Sequence, residues 1–117
     1  MEISQEIQQQ LAQFQQLEEQ LQAFAAQRAQ MELQLRDISN TLEKLKDVEP
    51  DTPMYQNIGS VLIRVKDKSA LMEELQERKE SLYRRVESMK MQEERLKKRL
   101  ESMGNELNQK LQGAGLA

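Results

Sequence analysis

Met54-Tyr55-Gln56-Asn57-Ile58-Gly59-Ser60-Val61-Leu62-Ile63-Arg64-Val65 reads as two short strands around a tight turn. β-branched residues dominate its second half, as strands prefer. Alternation puts Val61, Ile63 and Val65 on one face and Leu62 and Arg64 on the other. Gly59 supplies a turn conformation that a side chain resists. A hairpin this short is marginal alone in water. Its open edges favour pairing with further strands. The segment is therefore expected to be an assembly point.

On either side lie long heptad patterns. Upstream, Ile7, Phe14, Leu17, Leu21, Phe24, Met31, Leu35, Ile38, Leu42 and Leu45 alternate steps of three and four, the seam of a left-handed coiled coil. Gln10 and Arg28 interrupt it. Downstream the seam is Met72, Leu75, Leu82, Val86, Met89, Leu96, Leu100, Met103 and Leu107, with Lys79, Glu93 and Lys110 as charged members. Pro50 and Pro53 stop the first helix. Asp67 or Ser69 caps the second. The predicted layout is one domain over residues 1–117: a helix at 1–49, a linker with a β-hairpin at 50–68, a helix at 69–112 and a frayed tail at 113–117. This is an all-α dominated fold, a long antiparallel helical coiled-coil hairpin with a short β-hairpin at its turn. By helix rise each arm is roughly 60–70 Å long.

Heptad arithmetic leaves two registers. The one preferred sets Phe14 near Met103, Leu35 near Leu82 and Leu42 near Leu75. Arg28 and Glu93 interrupt opposite seams. They read either as a pair that fixes register or as two long side chains snorkelling to solvent. The second is the simpler expectation. Glu74/Arg78, Glu80/Arg84, Glu94/Lys98 and Glu106/Lys110 have the spacing of helix-stabilising ion pairs.

Composition excludes several classes of function. The 117 residues include no Trp, two Tyr and two Phe, too few for a broad globular core, and 32% charge suits a solvated helical structure. With no His and no Cys there is neither the usual near-neutral proton shuttle nor a thiol nucleophile. No phosphate loop or metal-ligand cluster appears, so neither catalysis, nor a cofactor, nor a metal is expected. No apolar run is long enough to cross a membrane, and the N-terminus lacks a signal peptide's basic start. The absence of Cys fits a cytoplasmic location. Net charge is −3, unlike the basic footprint of a nucleic-acid binder. Arg95, Lys97, Lys98 and Arg99 form the densest basic run, but Glu93, Glu94 and Glu101 surround it, so it reads as a solvated face.

The order long helix, Tyr55, Ile58-Gly59, the apolar strand Val61-Leu62-Ile63 ending in Arg64 and Val65, long helix resembles the beta-class subunit of prefoldin. Only the linker carries a specific match; the single hairpin and short length are similar to the beta class. The resemblance implies an ATP-independent holdase chaperone of the archaeal type. It implies a hexamer of two alpha-class and four beta-class subunits whose hairpins form a β-barrel body. It also implies coiled-coil tips that hold unfolded polypeptides and pass them to a group II chaperonin. Carried onto this chain, assembly falls on Tyr55, Ile58, Gly59, Val61, Leu62, Ile63 and Val65. Client contact falls on apolar residues near the termini. Leu11, Leu111 and Leu116 lie off the seam, and Ile3 and Ile7 lie where helix ends fray, so these five are the candidates. Phe14 and Met103 read as ordinary seam packing. The competing function is a coiled-coil spacer or adaptor for one defined partner, and a remoter one is an RNA-contacting helical arm.

Overall fold

The computed structural model describes residues 4–115. Helix α1 spans Gln5–Lys46, strand β1 Tyr55–Ile58, strand β2 Val61–Arg64 and helix α2 Lys68–Gly113. Ile3 and Leu116, two of the candidate client contacts, lie outside the described residues.

Local chemistry sets each boundary. Ser4 caps α1: its Oγ accepts a hydrogen bond from the Ile7 amide at 3.2 Å. The helix ends at Lys46, three residues earlier than the prolines suggested. The ring of Pro50 clashes with the carbonyl four residues back, which is that of Lys46, so the α-helical ladder cannot pass it. The chain tightens there instead, with Asp47 N donating to Lys44 O and Val48 N to Leu45 O. The Lys68 ammonium donates to the Val48 carbonyl and ties the two ends of the linker together. Of the two candidate caps for α2, Asp67 is the one used. Its Oδ1 accepts from the Ala70 amide at 3.2 Å and its carbonyl from Leu71. At the far end Gly115 turns the chain with φ 73°.

The hairpin pairs Tyr55 with Arg64, Gln56 with Ile63, Asn57 with Leu62 and Ile58 with Val61. One further bond, Val65 N to Met54 O at 2.9 Å, extends the ladder. Gly59 has φ 61°, and Ser60 is not in the left-handed region. A positive φ at the first central residue alone marks a type II′ turn, whose twist matches the flanking strands. A Cβ on Gly59 would meet open space, so the penalty for replacing it is conformational only. Gly59→Val is expected to cost about 1–2 kcal/mol in hairpin formation, and Gly59→Asn less. Titration of each variant into its partner subunits, followed by native mass spectrometry, checks this order. Equal assembly by both variants and the wild type would contradict it.

The helices fall into two compact units, residues up to Gln30 with those from Glu87 onward, and Met31–Val86. In the first unit α1 and α2 pack antiparallel. Phe14 lies against Gly104, where an added Cβ would sit 3.2 Å from its ring. This is one position from the Met103 expected of the preferred register. In the second unit Ile38 and Leu82 line one shallow cavity. Every predicted seam position among the described residues is buried or half-buried, including the polar Gln10, Arg28, Lys79, Glu93 and Lys110. Ile7, Leu17, Leu42, Val86 and Leu107 are the most deeply buried apolar side chains.

Candidate functional site

The hairpin carries an unusual load of apolar surface for its size. Side chains opposite each other in an antiparallel ladder share a face. One face therefore collects Ile58, Val61 and Ile63, continued by Met54 and Val65, with Gln56 its polar member. The other presents Tyr55, Asn57, Leu62 and Arg64. Tyr55, Ile58, Val61, Leu62 and Ile63 are 46–66% exposed. Gly59 is exposed as well, and Val65 is half-buried at the ribbon's base. Both faces and both edges of the ribbon are thus open. Monomeric proteins rarely leave such a contiguous patch in water, and its usual meaning is an interaction surface.

The unit holding the outer parts of both helices is the second candidate. Leu11 is 40% exposed and Leu111 is half-buried. Ile7 is covered where Leu11 is open. It is only 8% exposed, packed in the seam beneath a first turn that Ser4 caps. As folded, it offers no free apolar surface. Lys110 also departs from its predicted partner: it reaches Glu6 of the other helix at 3.1 Å, rather than Glu106 on its own. Of the four predicted intrahelical pairs, Glu74–Arg78 forms at 3.0 Å.

Within the same unit Arg28 and Glu93 form an ion pair across the seam, against the solvated reading. The guanidinium engages both carboxylate oxygens, with Nη2 3.4 Å from Oε1. Lys97 adds a weaker contact at 3.8 Å. Glu93 is nearly inaccessible, its side chain 8% exposed. The hydrogen bond from Arg28 holds its carboxyl below the usual value of 4.5, against the upward push of burial; the charges of Arg28 and Lys97 act in the same downward sense. Sequence spacing flagged both residues, but the pairing depends on cross-helix register. Leu33, Tyr83 and Met91 are exposed apolar residues that periodicity passed over because none belongs to a seam. Among the described residues no cluster has the His, Cys, Asp or Glu content to hold a metal, and no helix is long and apolar enough to cross a membrane.

Residues 8–114 match the family model described as Prefoldin subunit. The chain belongs to the prefoldin family, in its beta class. It is 41% identical to the prefoldin subunit beta of Archaeoglobus fulgidus over 111 residues, covering 95% of this chain and 91% of that one. It is 35% identical to that of Thermoplasma acidophilum over 105 residues, covering 90% and 85% respectively. The crystal structure of the prefoldin beta subunit from Thermococcus strain KS-1 superposes with a TM-score of 0.83, covering 94% of this chain and 96% of that one. At 24% identity that likeness bears on the fold. As a prefoldin subunit the chain is a chaperone component, and its family is not one of known enzymes.

Proposed function

We propose that this beta-class prefoldin subunit is part of an ATP-independent holdase. Its hairpin builds the body of a hetero-oligomer with an alpha-class partner, two alpha with four beta subunits, and its helix ends hold non-native polypeptides. The complex works in the cytoplasm and hands its clients to a group II chaperonin. The observation that carries the assembly part is the set of five large apolar side chains, 46–66% exposed, on a ribbon of two four-residue strands. A ribbon of that size needs neighbours for its stability. Partner strands would satisfy its edges and dry its apolar faces together.

Client holding is placed on Leu11 and Leu111, with Ile3 and Leu116 beyond the described residues. Ile7 joins them where a client opens the first turn. One apolar side chain fully buried contributes about 1.5–3 kcal/mol, so a single helix end binds weakly. Several ends carried by one body gain from effective concentration. Weak, multiple, non-directional contacts suit a protein that holds many sequences and lets them go.

The double variant Leu11→Asn, Leu111→Asn is expected to assemble normally. Its protection of two unrelated denatured proteins should fall about tenfold in the concentration required, if the two side chains, each already partly covered, together contribute about 1.4 kcal/mol. Light scattering during dilution from denaturant measures protection, and native mass spectrometry measures assembly. Wild-type protection by the variant would sink the placement of the client surface. Protection of only one of the two proteins by the wild type would favour an adaptor for a defined partner.

A further inference from the structure

The unit formed by the outer parts of the helices contains a run of shallow grooves that the seam does not require. One, of about 340 Å³, is lined by Gln13, Gln16, Leu17, Gln20, Arg99 and Met103. A second, of about 190 Å³, shares Gln13, Arg99 and Met103 with it and adds Gln10, Glu106 and Leu107. A third, of about 320 Å³, also borders Arg99 and continues along Phe24, Gln92, Arg95 and Leu96. Shared residues make them one channel. Half-buried Phe24, Leu96 and Met103 lie along its base, one wall is a glutamine stripe on α1, and Arg95 and Arg99 stand one helical turn apart on the other.

Two features are not explained by packing within the chain. Arg95 and Arg99 are exposed and form no ion pair with another described residue. The Oε1 of Gln10, which borders the channel, is buried and accepts no hydrogen bond. A buried acceptor without a donor costs about 1–3 kcal/mol, and this one is too enclosed for a client to reach.

We propose that this channel is a subsite for extended client segments that combine apolar side chains with carboxylates. The apolar side chains lie on the half-buried Phe24, Leu96 and Met103. A carboxylate meets the planar forks of Arg95 and Arg99, which bind it bidentately. Glu106 at the other end repels acid, so the segment is oriented with its carboxylate toward Phe24. The proposal rests on the holdase reading and adds to it a preference among clients.

The test uses the assembled complex and fluorescein-labelled unstructured peptides. They share length and leucine content and differ only in whether the intervening polar positions are Asp, Asn or Lys. Anisotropy titration should show the Asp peptide binding about fivefold more tightly than the Asn peptide and the Lys peptide more weakly than either. In the Arg95→Gln, Arg99→Gln double variant the Asp-to-Asn ratio should fall to about one, with circular dichroism confirming an unchanged fold. Gln10→Leu completes the heptad, so it should raise the melting temperature and leave the Asp-to-Asn ratio unchanged. Equal binding of the three peptides to wild type overturns the proposal but leaves the holdase reading standing. No binding of any peptide, with no protection of denatured proteins, removes both. A leucine-free Asp peptide or a single-stranded oligonucleotide binding as tightly as the Asp–Leu peptide would mark a polyanion surface instead, and would also overturn it.

Discussion

Ile63→Asp is expected to leave a helical subunit that no longer enters a prefoldin complex. Ile63 sits mid-strand opposite Gln56, on the face it shares with Ile58 and Val61. About half of its surface is open in the single chain. Drying that surface in an assembly contributes about 1.5–3 kcal/mol. A carboxylate there has no partner of opposite charge on the same face and resists desolvation by several kcal/mol more. A combined loss of about 4 kcal/mol is a thousandfold in affinity for each hairpin. The helices remain folded because the seam residues carry their packing. Size-exclusion chromatography with alpha-class partner would show complex for the wild type and a separate subunit for the variant, with the helical circular dichroism signal retained. Leu62→Asp, on the face with Asn57 and Arg64, should be milder. The reverse order would mean that the Tyr55–Leu62 face is the one buried in the body.

The second large effect concerns the ion pair inside the seam. Arg28→Ala strands the Glu93 carboxylate in a nearly inaccessible position, and breaking a buried pair costs roughly 3–5 kcal/mol. Lys97 stays within 3.8 Å and Arg28 itself is 22% exposed, so the expected loss lies at the lower end, about 3 kcal/mol. Removing both charges is a different experiment. Arg28→Leu with Glu93→Leu restores two apolar seam positions and should equal or exceed the wild type in stability, by up to a few kcal/mol. Urea denaturation of the three proteins separates the cases. A single-site loss below that of an ordinary surface substitution would show the pair to be solvated. The sign with pH follows from the lowered carboxyl of Glu93. Its stabilisation is fully present above the unfolded value near 4.5 and is lost as pH falls through the lower folded value. Wild type should therefore lose stability on acidification more steeply than the double leucine variant.

Much of the fold was legible because it depends on period alone. Steps of three and four placed each seam residue correctly from Ile7 to Lys110, polar members included. Gly59 placed the turn because only a residue without a side chain takes a positive φ there freely. What failed to show depends on distances between elements. The Arg28–Glu93 contact needs the cross-helix register to within about one residue, and heptad arithmetic resolves it only to a repeat. Lys110 had a sequence neighbour in Glu106 but chose Glu6 for the same reason. The helix end at Lys46 was readable in principle, since a proline excludes the helix four residues before it. The burial of Ile7 turned on the Ser4 cap, which a general expectation of fraying overrode. The channel along Arg99 was invisible to pattern reading, because its wall and floor come from two helices. Arg95 and Arg99 looked like a solvated run when viewed on α2 alone.

The ribbon's geometry also limits the stoichiometries open to the molecule. A two-stranded sheet has two free edges, and here they differ, one belonging to β1 and the other to β2. In the language of polymerisation the subunit is a bifunctional monomer. Joining two copies edge to edge leaves two edges still reactive, so a dimer of ribbons is no end point. Growth stops only when curvature brings the last edge to the first, or when a partner of different valence caps it. Expressed without a partner, such a chain should give a concentration-dependent ladder of species unless its edges close into a ring, which sedimentation velocity would show as a single boundary.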